Sequence, residues 1–269
     1  MNHLFRSLAP ISEAGWKLVD EEAKDQLQVV LAGRQLVDFS GPHGWDYSSI
    51  NLGRTTEVTA SPGEGVLAKA RKVLPLVELR AEFSLSRSEL ANLDRGSLDA
   101  DLASLNEAVR RIALAENVAV FHGYAEAGIE GIAQASPHPA VALGQDFDSY
   151  PGHVARAVER LRSEGIGGPY GLALGPECYT GVVETTEYGG YPVFDHLRRI
   201  LGGPIVWAPG VAGAVVMTLR GGDYLFDSGQ DFSLGYSRHD DEAVYLYLEE
   251  SFAFRVVTPE AAVALTGPG

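Results

Sequence analysis

The sequence predicts a mixed α+β fold, and three observations carry the prediction. A long helical stripe lies near the middle of the chain, a turn-tipped pair of strands poor in large apolar residues precedes it, and the C-terminal part is β-rich. The 269 residues suffice for one large domain or two small ones, and a chain of this size buries enough apolar surface to need no disulfide or metal staple.

Taken in order, Trp16, Val19, Ala23, Leu27 and Val30 recur at helical spacing behind Ser12, a residue suited to an N-cap, with Gly33 as the natural stop. The apolar arm before this helix, with Leu4, Phe5, Leu8 and Ile11, is expected to pack on its own core or on a neighbour. Gly41-Pro42-His43-Gly44 marks a turn. From 47 to about 77, two strand-like runs flank Ser61-Pro62-Gly63-Glu64-Gly65, the chemistry of a hairpin tip. One strand carries Asn51, Arg54, Thr55, Thr56 and Glu57, and the other Lys69, Arg71 and Lys72. Such a hairpin has little core of its own, and isolated hairpins are marginal in water, so its partner is expected on another subunit.

Asp99 or Asp101 is expected to open the longest helix, with Leu102, Leu105, Val109, Ile112 and Leu114 as its stripe, running towards Gly123. A helix over 153–163, with Val154, Ala157, Val158 and Leu161, closes at Gly165. A strand near 170–174, helices around 177–184 and 193–201, and strands at 205–207 and 214–219 follow. Over 244–256, Val244, Leu246, Leu248, Phe252, Phe254 and Val256 share one side of a strand, interrupted only by Glu250.

Composition excludes several functions. A net charge of −15 with a pI near 4.8 repels phosphate backbones and anionic membranes. The single Cys178 can form neither an internal disulfide nor a thiolate metal site, and residues 1–11 lack the pattern of a secretory signal. With no apolar run near the roughly 18 residues of a membrane span, a cytoplasmic protein is expected. No Ser lies in a Gly-x-Ser-x-Gly turn, and the histidines (His3, His43, His122, His138, His153, His196 and His239) form no zinc pair. His239-Asp240-Asp241-Glu242 reads as a solvated turn between strands, and the glycines from Gly165 to Gly171 as a helix-to-strand turn rather than a phosphate loop. Glu249 and Glu250 point to opposite faces of one strand and cannot share a substrate. No catalytic residue, metal site or cofactor is expected.

A run of short motifs in fixed order resembles the encapsulins over nearly the whole chain. It begins with Leu4-Phe5-Arg6-Ser7-Leu8-Ala9-Pro10-Ile11 and Trp16, then Gly33-Arg34-x-x-Val37-Asp38 and Gly41-Pro42-x-Gly44. Pro75-Leu76-Val77-Glu78-Leu79-Arg80, Phe121-x-Gly123 and Gly128-Ile129-x-Gly131-Ile132 follow. Gly168-Pro169-Tyr170, Gly190-Tyr191-Pro192, Arg220-Gly221-Gly222-Asp223, Gly229-Gln230-Asp231-x-Ser233-x-Gly235-Tyr236 and Glu250-Ser251-Phe252-x-Phe254 complete the series.

The resemblance implies the fold of tailed-bacteriophage major capsid proteins, with a peripheral domain, an axial domain and an extended loop. The expected division is 1–45 for the arm, first helix and start of the peripheral domain, 46–77 for the extended loop, and 78–134 for the peripheral domain with its spinal helix. Residues 135–219 are assigned to the axial domain, 220–258 to a β-rich part of the peripheral domain, and 259–269 to a strand returning to the axial domain. It further implies a structural shell subunit, on the order of 60 copies closing an icosahedral compartment. Such a shell encloses a peroxidase or ferritin-like cargo that carries a C-terminal targeting peptide, for oxidative-stress defence or iron storage.

Matched motifs place the docking site for that peptide at Leu8, Val30, Arg34, Asp38, Asp231 and Tyr236, with an Arg34–Asp38 ion pair as the purely structural alternative. They place a fivefold pore at Glu187, Tyr188, Gly189, Gly190 and Tyr191, where a carboxylate ring would attract cations. Where some relatives hold a flavin on an aromatic residue, this chain has Ser86-Arg87-Ser88, so no flavin is expected. The rival readings are a phage-type coat protein packaging DNA, which the acidic charge opposes, and a hydrolase, for which no nucleophile and base are visible.

Overall fold

The computed structural model describes residues 3–60, 63–144, 146–187 and 189–267. Helix α1 (Glu13–Val30) is followed by strands β1 (Asp38–Ser40), β2 (Ser49–Glu57), β3 (Lys69–Pro75) and β4 (Val77–Ser86), then by helices α2 (Arg87–Asp94), α3 (Ala103–His122) and α4 (Ile132–Ala135). Next come β5 (Val141–Ala142), α5 (Tyr150–Ser163), β6 (Tyr170–Leu174), α6 (Pro176–Glu184) and α7 (Val193–Leu201). The chain ends through β7 (Gly202–Trp207), β8 (Ala214–Thr218), β9 (Tyr224–Ser228), β10 (Ser233–His239), β11 (Ala243–Val256) and β12 (Ala262–Thr266).

Two five-stranded sheets and one separate hairpin organise these elements. In the first sheet the long β11 pairs with β10 and β9 along one edge and with β4 along the other. The second sheet runs β5-β12-β8-β6-β7, so the chain's last strand lies between β5 and β8. One core lies between the first sheet and α1, α2 and the front half of α3, and a second surrounds the other sheet with α5, α6 and α7. Helix α3 joins them. Its Leu105, Val109 and Ile112 belong to the first core, while Val120 and Phe121 belong to the second. Each such buried apolar side chain contributes about 1.5–3 kcal/mol of burial free energy.

Local chemistry explains the boundaries, and corrects two expectations. The Ser12 hydroxyl accepts the Gly15 N–H and caps α1 as expected. Its other end is set by Asn117 rather than by Gly33. Asn117, fully buried on α3, donates to the Val30 carbonyl at 2.9 Å and accepts the Ala32 and Gly33 N–H groups. Gly33 is small for packing, because a Cβ there would lie 3.1 Å from a Val120 methyl group. Helix α3 begins at Ala103, whose N–H bonds the Asp101 carboxylate. Leu114, placed on the apolar stripe from spacing, is exposed. Helix α2, capped by Ser86, was not visible as a periodic run because it is only 8 residues long.

Strand β11 is covered on both faces over 247–254, which the one-sided apolar pattern did not reveal. The free edge of β4 is blunted by α3, since Ser104 and Arg111 donate to the Ser84 and Glu82 carbonyls. The turn 239–242 is built as expected, with the Asp240 carboxylate accepting the Glu242 and Ala243 N–H groups.

The β2–β3 hairpin is held to the body only near its base. Ile50 is buried and Ser49, Leu52 and Leu74 are half-buried, whereas the remaining residues of the two strands are exposed. Ser61 and Pro62 of the expected tip lie outside the described residues.

Candidate functional site

A groove of about 460 Å³ runs between α1 and the first sheet. Ala23, Leu27 and Leu31 form one wall, while Phe232, Leu234 and Leu248 form the other. The helical spacing of α1 puts Ala23 and Leu27 on one stripe, and their small or aliphatic side chains leave the trough open. Leu4 and Arg6 of the N-terminal arm lie along it. The arm is fastened by the Arg6 guanidinium, which grips Asp20 at 2.6 and 3.0 Å and stacks 4.0 Å above Trp16. It is also tied to β10, because the Tyr236 N–H donates to the Leu4 carbonyl.

At the floor of the groove sits a buried charge cluster. Arg34 donates to Glu116 at 2.7 Å, to Asp231 at 2.6 Å and to Glu250 at 2.8 Å. Its guanidinium also lies 4.6 Å from the Phe232 ring centroid, which fixes its plane. Glu116 is wholly buried and Glu250 is 1% exposed. Burial pushes both carboxyls upward from their ordinary values, Arg34 pulls both back, and Glu116 raises Glu250 further. Glu250 is held the higher of the two, because the neighbouring Glu116 adds its repulsion to the cost of burial. Burial alone would lower Arg34, but Glu116 and Glu250 hold it firmly charged.

Of the six residues expected around a docked peptide, the groove brings together Arg34 and Asp231. Val30 lies behind it in the core, and Leu8 is exposed beyond it. Asp38 lines a separate cleft and accepts the Gly222 N–H at 2.6 Å. Tyr236 borders a third depression, with its hydroxyl 2.6 Å from His239 Nδ1. The Arg34–Asp38 ion pair considered above does not form, because Glu116, Asp231 and Glu250 take the guanidinium. Sequence reasoning missed Glu116. Its signal was present, since 105, 109, 112 and 116 are helically spaced and the last is an acid at a core position.

The loop between α6 and α7 forms a tight turn. The Gly190 N–H donates to the Glu187 carbonyl, the Glu187 N–H donates to the Tyr191 carbonyl, and Gly189 and Gly190 both have positive φ. Glu187 is latched to His196 at 2.8 Å, and His196 packs edge-on against Tyr191. Tyr188 lies outside the described residues. Among the described residues no group of three or more His, Cys, Asp or Glu could hold a metal ion.

The fold has clear counterparts among solved structures. A virus-like particle from Pyrococcus furiosus superposes with a TM-score of 0.64 at 15% identity, covering 92% of this chain and 98% of that one. A structure of Mycobacterium phage Bobi gives a TM-score of 0.58 at 13% identity, covering 88% and 90%. The fold is therefore that of capsid proteins. In sequence, the family described as "Encapsulating protein for peroxidase" matches residues 1–253. The chain is 49% identical to a type 1 encapsulin shell protein of Rhodospirillum rubrum, over 99% of this chain and 97% of the relative. It is 42% identical to a type 1 encapsulin shell protein of Mycobacterium tuberculosis, over 99% and 100%. The chain belongs to the encapsulin shell-protein family, and it is a structural subunit rather than an enzyme. No helix among the described residues is long and apolar enough to cross a membrane.

Proposed function

We propose that about 60 copies of this chain close into an icosahedral cytoplasmic compartment whose inner wall captures a peroxidase or ferritin-like cargo by its C-terminal peptide. The groove beside α1 is the observation that supports this reading. An extended peptide needs an apolar trough for alternate side chains and polar anchors to fix its direction. Leu27, Leu31 and Phe232 supply the first, and Arg34 with Asp231 the second. Leu8, Val30, Asp38 and Tyr236 would frame the site rather than line it. In this reading residues 46–77 interlock neighbouring subunits, and 135–219 with 259–269 form the axial domain. The 187–191 loop rings a fivefold pore, where Glu187 favours cation entry.

Negative-stain electron microscopy and sedimentation of the purified protein test assembly. Uniform hollow spheres of megadalton mass are expected, and a small oligomer at every concentration would sink the proposal. Capture is tested with a fluorescent protein carrying the C-terminal peptide of a co-encoded peroxidase. Gln28→Trp, which fills the groove from its exposed rim, should leave shells intact and abolish loading. Unchanged loading would place the peptide elsewhere.

A further inference from the structure

The projecting hairpin reverses the charge of the molecule. Residues 49–75 carry four cations, Arg54, Lys69, Arg71 and Lys72, against two carboxylates, Glu57 and Glu64. Their net charge of +2 leaves −17 for the remainder of a −15 chain. The cations are also arranged. Asn51 accepts the Gly53 N–H at 2.9 Å, and Gly53 has a φ of 66°, which builds an irregularity into β2 between Asn51 and Arg54. The ladder resumes with Arg54 directly opposite Lys72 and continues through Thr55–Arg71, Thr56–Ala70 and Glu57–Lys69. Side chains alternate along each strand, so Arg54 and Lys72 share one face while Glu57 and Lys69 share the other.

Two like charges directly opposite each other destabilise a hairpin, and the ladder positions on their face hold no carboxylate to relieve them. Both are exposed, and neither has an ion-pair partner among the described residues. We infer that the Arg54–Lys72 pair is a docking patch for the acidic surface of a second copy of this chain, making closure of the shell electrostatically steered. The inference rests on the proposal that the chain self-assembles through this hairpin, and adds which residues bind and by what chemistry. Charge complementarity selects the occupant, because the remainder of a neighbouring copy carries, taken as a whole, a net charge of −17.

The test measures self-association of the full chain by analytical ultracentrifugation at low and high NaCl. Wild type is compared with Arg54→Glu/Lys72→Glu and with Arg54→Gln/Lys72→Gln. Circular dichroism confirms that each variant is folded. The reversal should lower the assembled fraction at least about tenfold at low salt, since like-charge contacts across an interface cost several kcal/mol. The neutral variant should assemble with a weaker response to salt than wild type. A reversal variant that assembles as wild type does, at both salt concentrations, overturns the inference while leaving the shell reading intact. So does a variant that assembles normally but loses co-purifying nucleic acid, which would make a polyanion the partner. A wild type limited to small oligomers that the reversal weakens keeps the inference and refutes the shell. A wild type that stays monomeric at every concentration refutes both.

Discussion

Replacing Arg34 with methionine keeps an unbranched apolar stem and removes the guanidinium that three carboxylates share. Arg34 is 14% exposed, Glu116 is wholly buried, and Glu250 is 1% exposed, so water cannot substitute for the lost cation. Removing one partner from a buried ion pair costs about 3–5 kcal/mol. A second route gives a similar figure. The buried carboxylate left behind must take up a proton, and doing so at pH 7.5 from an ordinary value of 4.5 costs about 4 kcal/mol at 1.36 kcal/mol per unit. The same arithmetic makes the loss depend on pH, falling to about 1.4 kcal/mol at pH 5.5. Urea unfolding of wild type and variant at equal protein concentration, at both pH values, reads this directly. Equal concentration is needed because assembly and subunit stability are coupled. Arg34→Met/Glu116→Gln should recover most of the stability lost at pH 7.5. A loss that is the same at pH 7.5 and 5.5, or that Glu116→Gln does not relieve, would show that Arg34 acts by packing alone.

In wild type the same pair should tilt stability with pH. Both folded-state values are raised, so the native protein binds more protons than the unfolded chain above pH 4.5, and the pair's contribution falls as pH rises through the raised values. Glu250→Gln should flatten that decline in a pH series of urea midpoints. Gly131 packs where a Cβ would collide with the backbone of His122 and Gly123, so Gly131→Ala should cost roughly 3 kcal/mol or abolish folding. Gly53→Ala meets nothing within 4 Å and should cost only the roughly 1–2 kcal/mol of its left-handed backbone, read by thermal denaturation. Cys178, buried and 3.3 Å from the Tyr150 hydroxyl, should react with a thiol reagent only in denaturant, and rapid labelling of the native shell would contradict its placement.

Periodicity made most elements legible. The stripe from Trp16 to Val30, the run through Leu105, Val109 and Ile112, and the alternation along 244–256 each report a face turned to a core. What spacing could not report was which neighbour covers that face. Leu114 fits the stripe of α3 by number, yet α3 passes from one core to the other, and its apolar side changes neighbours on the way. Gly33 has the composition of a helix stop, but Asn117 ends the helix from 87 residues away, a relation absent from local sequence. The charge cluster was half visible. Glu250 stood out as an acid in an apolar strand face, and Arg34 and Asp231 were singled out by motif, whereas Glu116 fell at a core position of the helix without being connected to them. Four residues separated by up to 216 positions can be joined only by the fold.

That connection explains why ions, rather than aliphatic side chains, occupy the floor of the groove. A hydrophobic replacement of similar volume is often as stable as a buried ion pair, so stability alone does not account for the cluster. Geometry does. Arg34 follows α1, Glu116 lies on α3, Asp231 precedes β10 and Glu250 lies on β11, so the bonds fix the separation of the two walls. Apolar contacts tolerate sliding, whereas hydrogen bonds of 2.6–2.8 Å to three carboxylates do not. Under the proposed docking role, a trough held open before its peptide arrives gains affinity, because less ordering remains to be done on binding. Asp231, 43% exposed and still bonded to Arg34, then presents to the groove a carboxylate whose position the buried members have already determined.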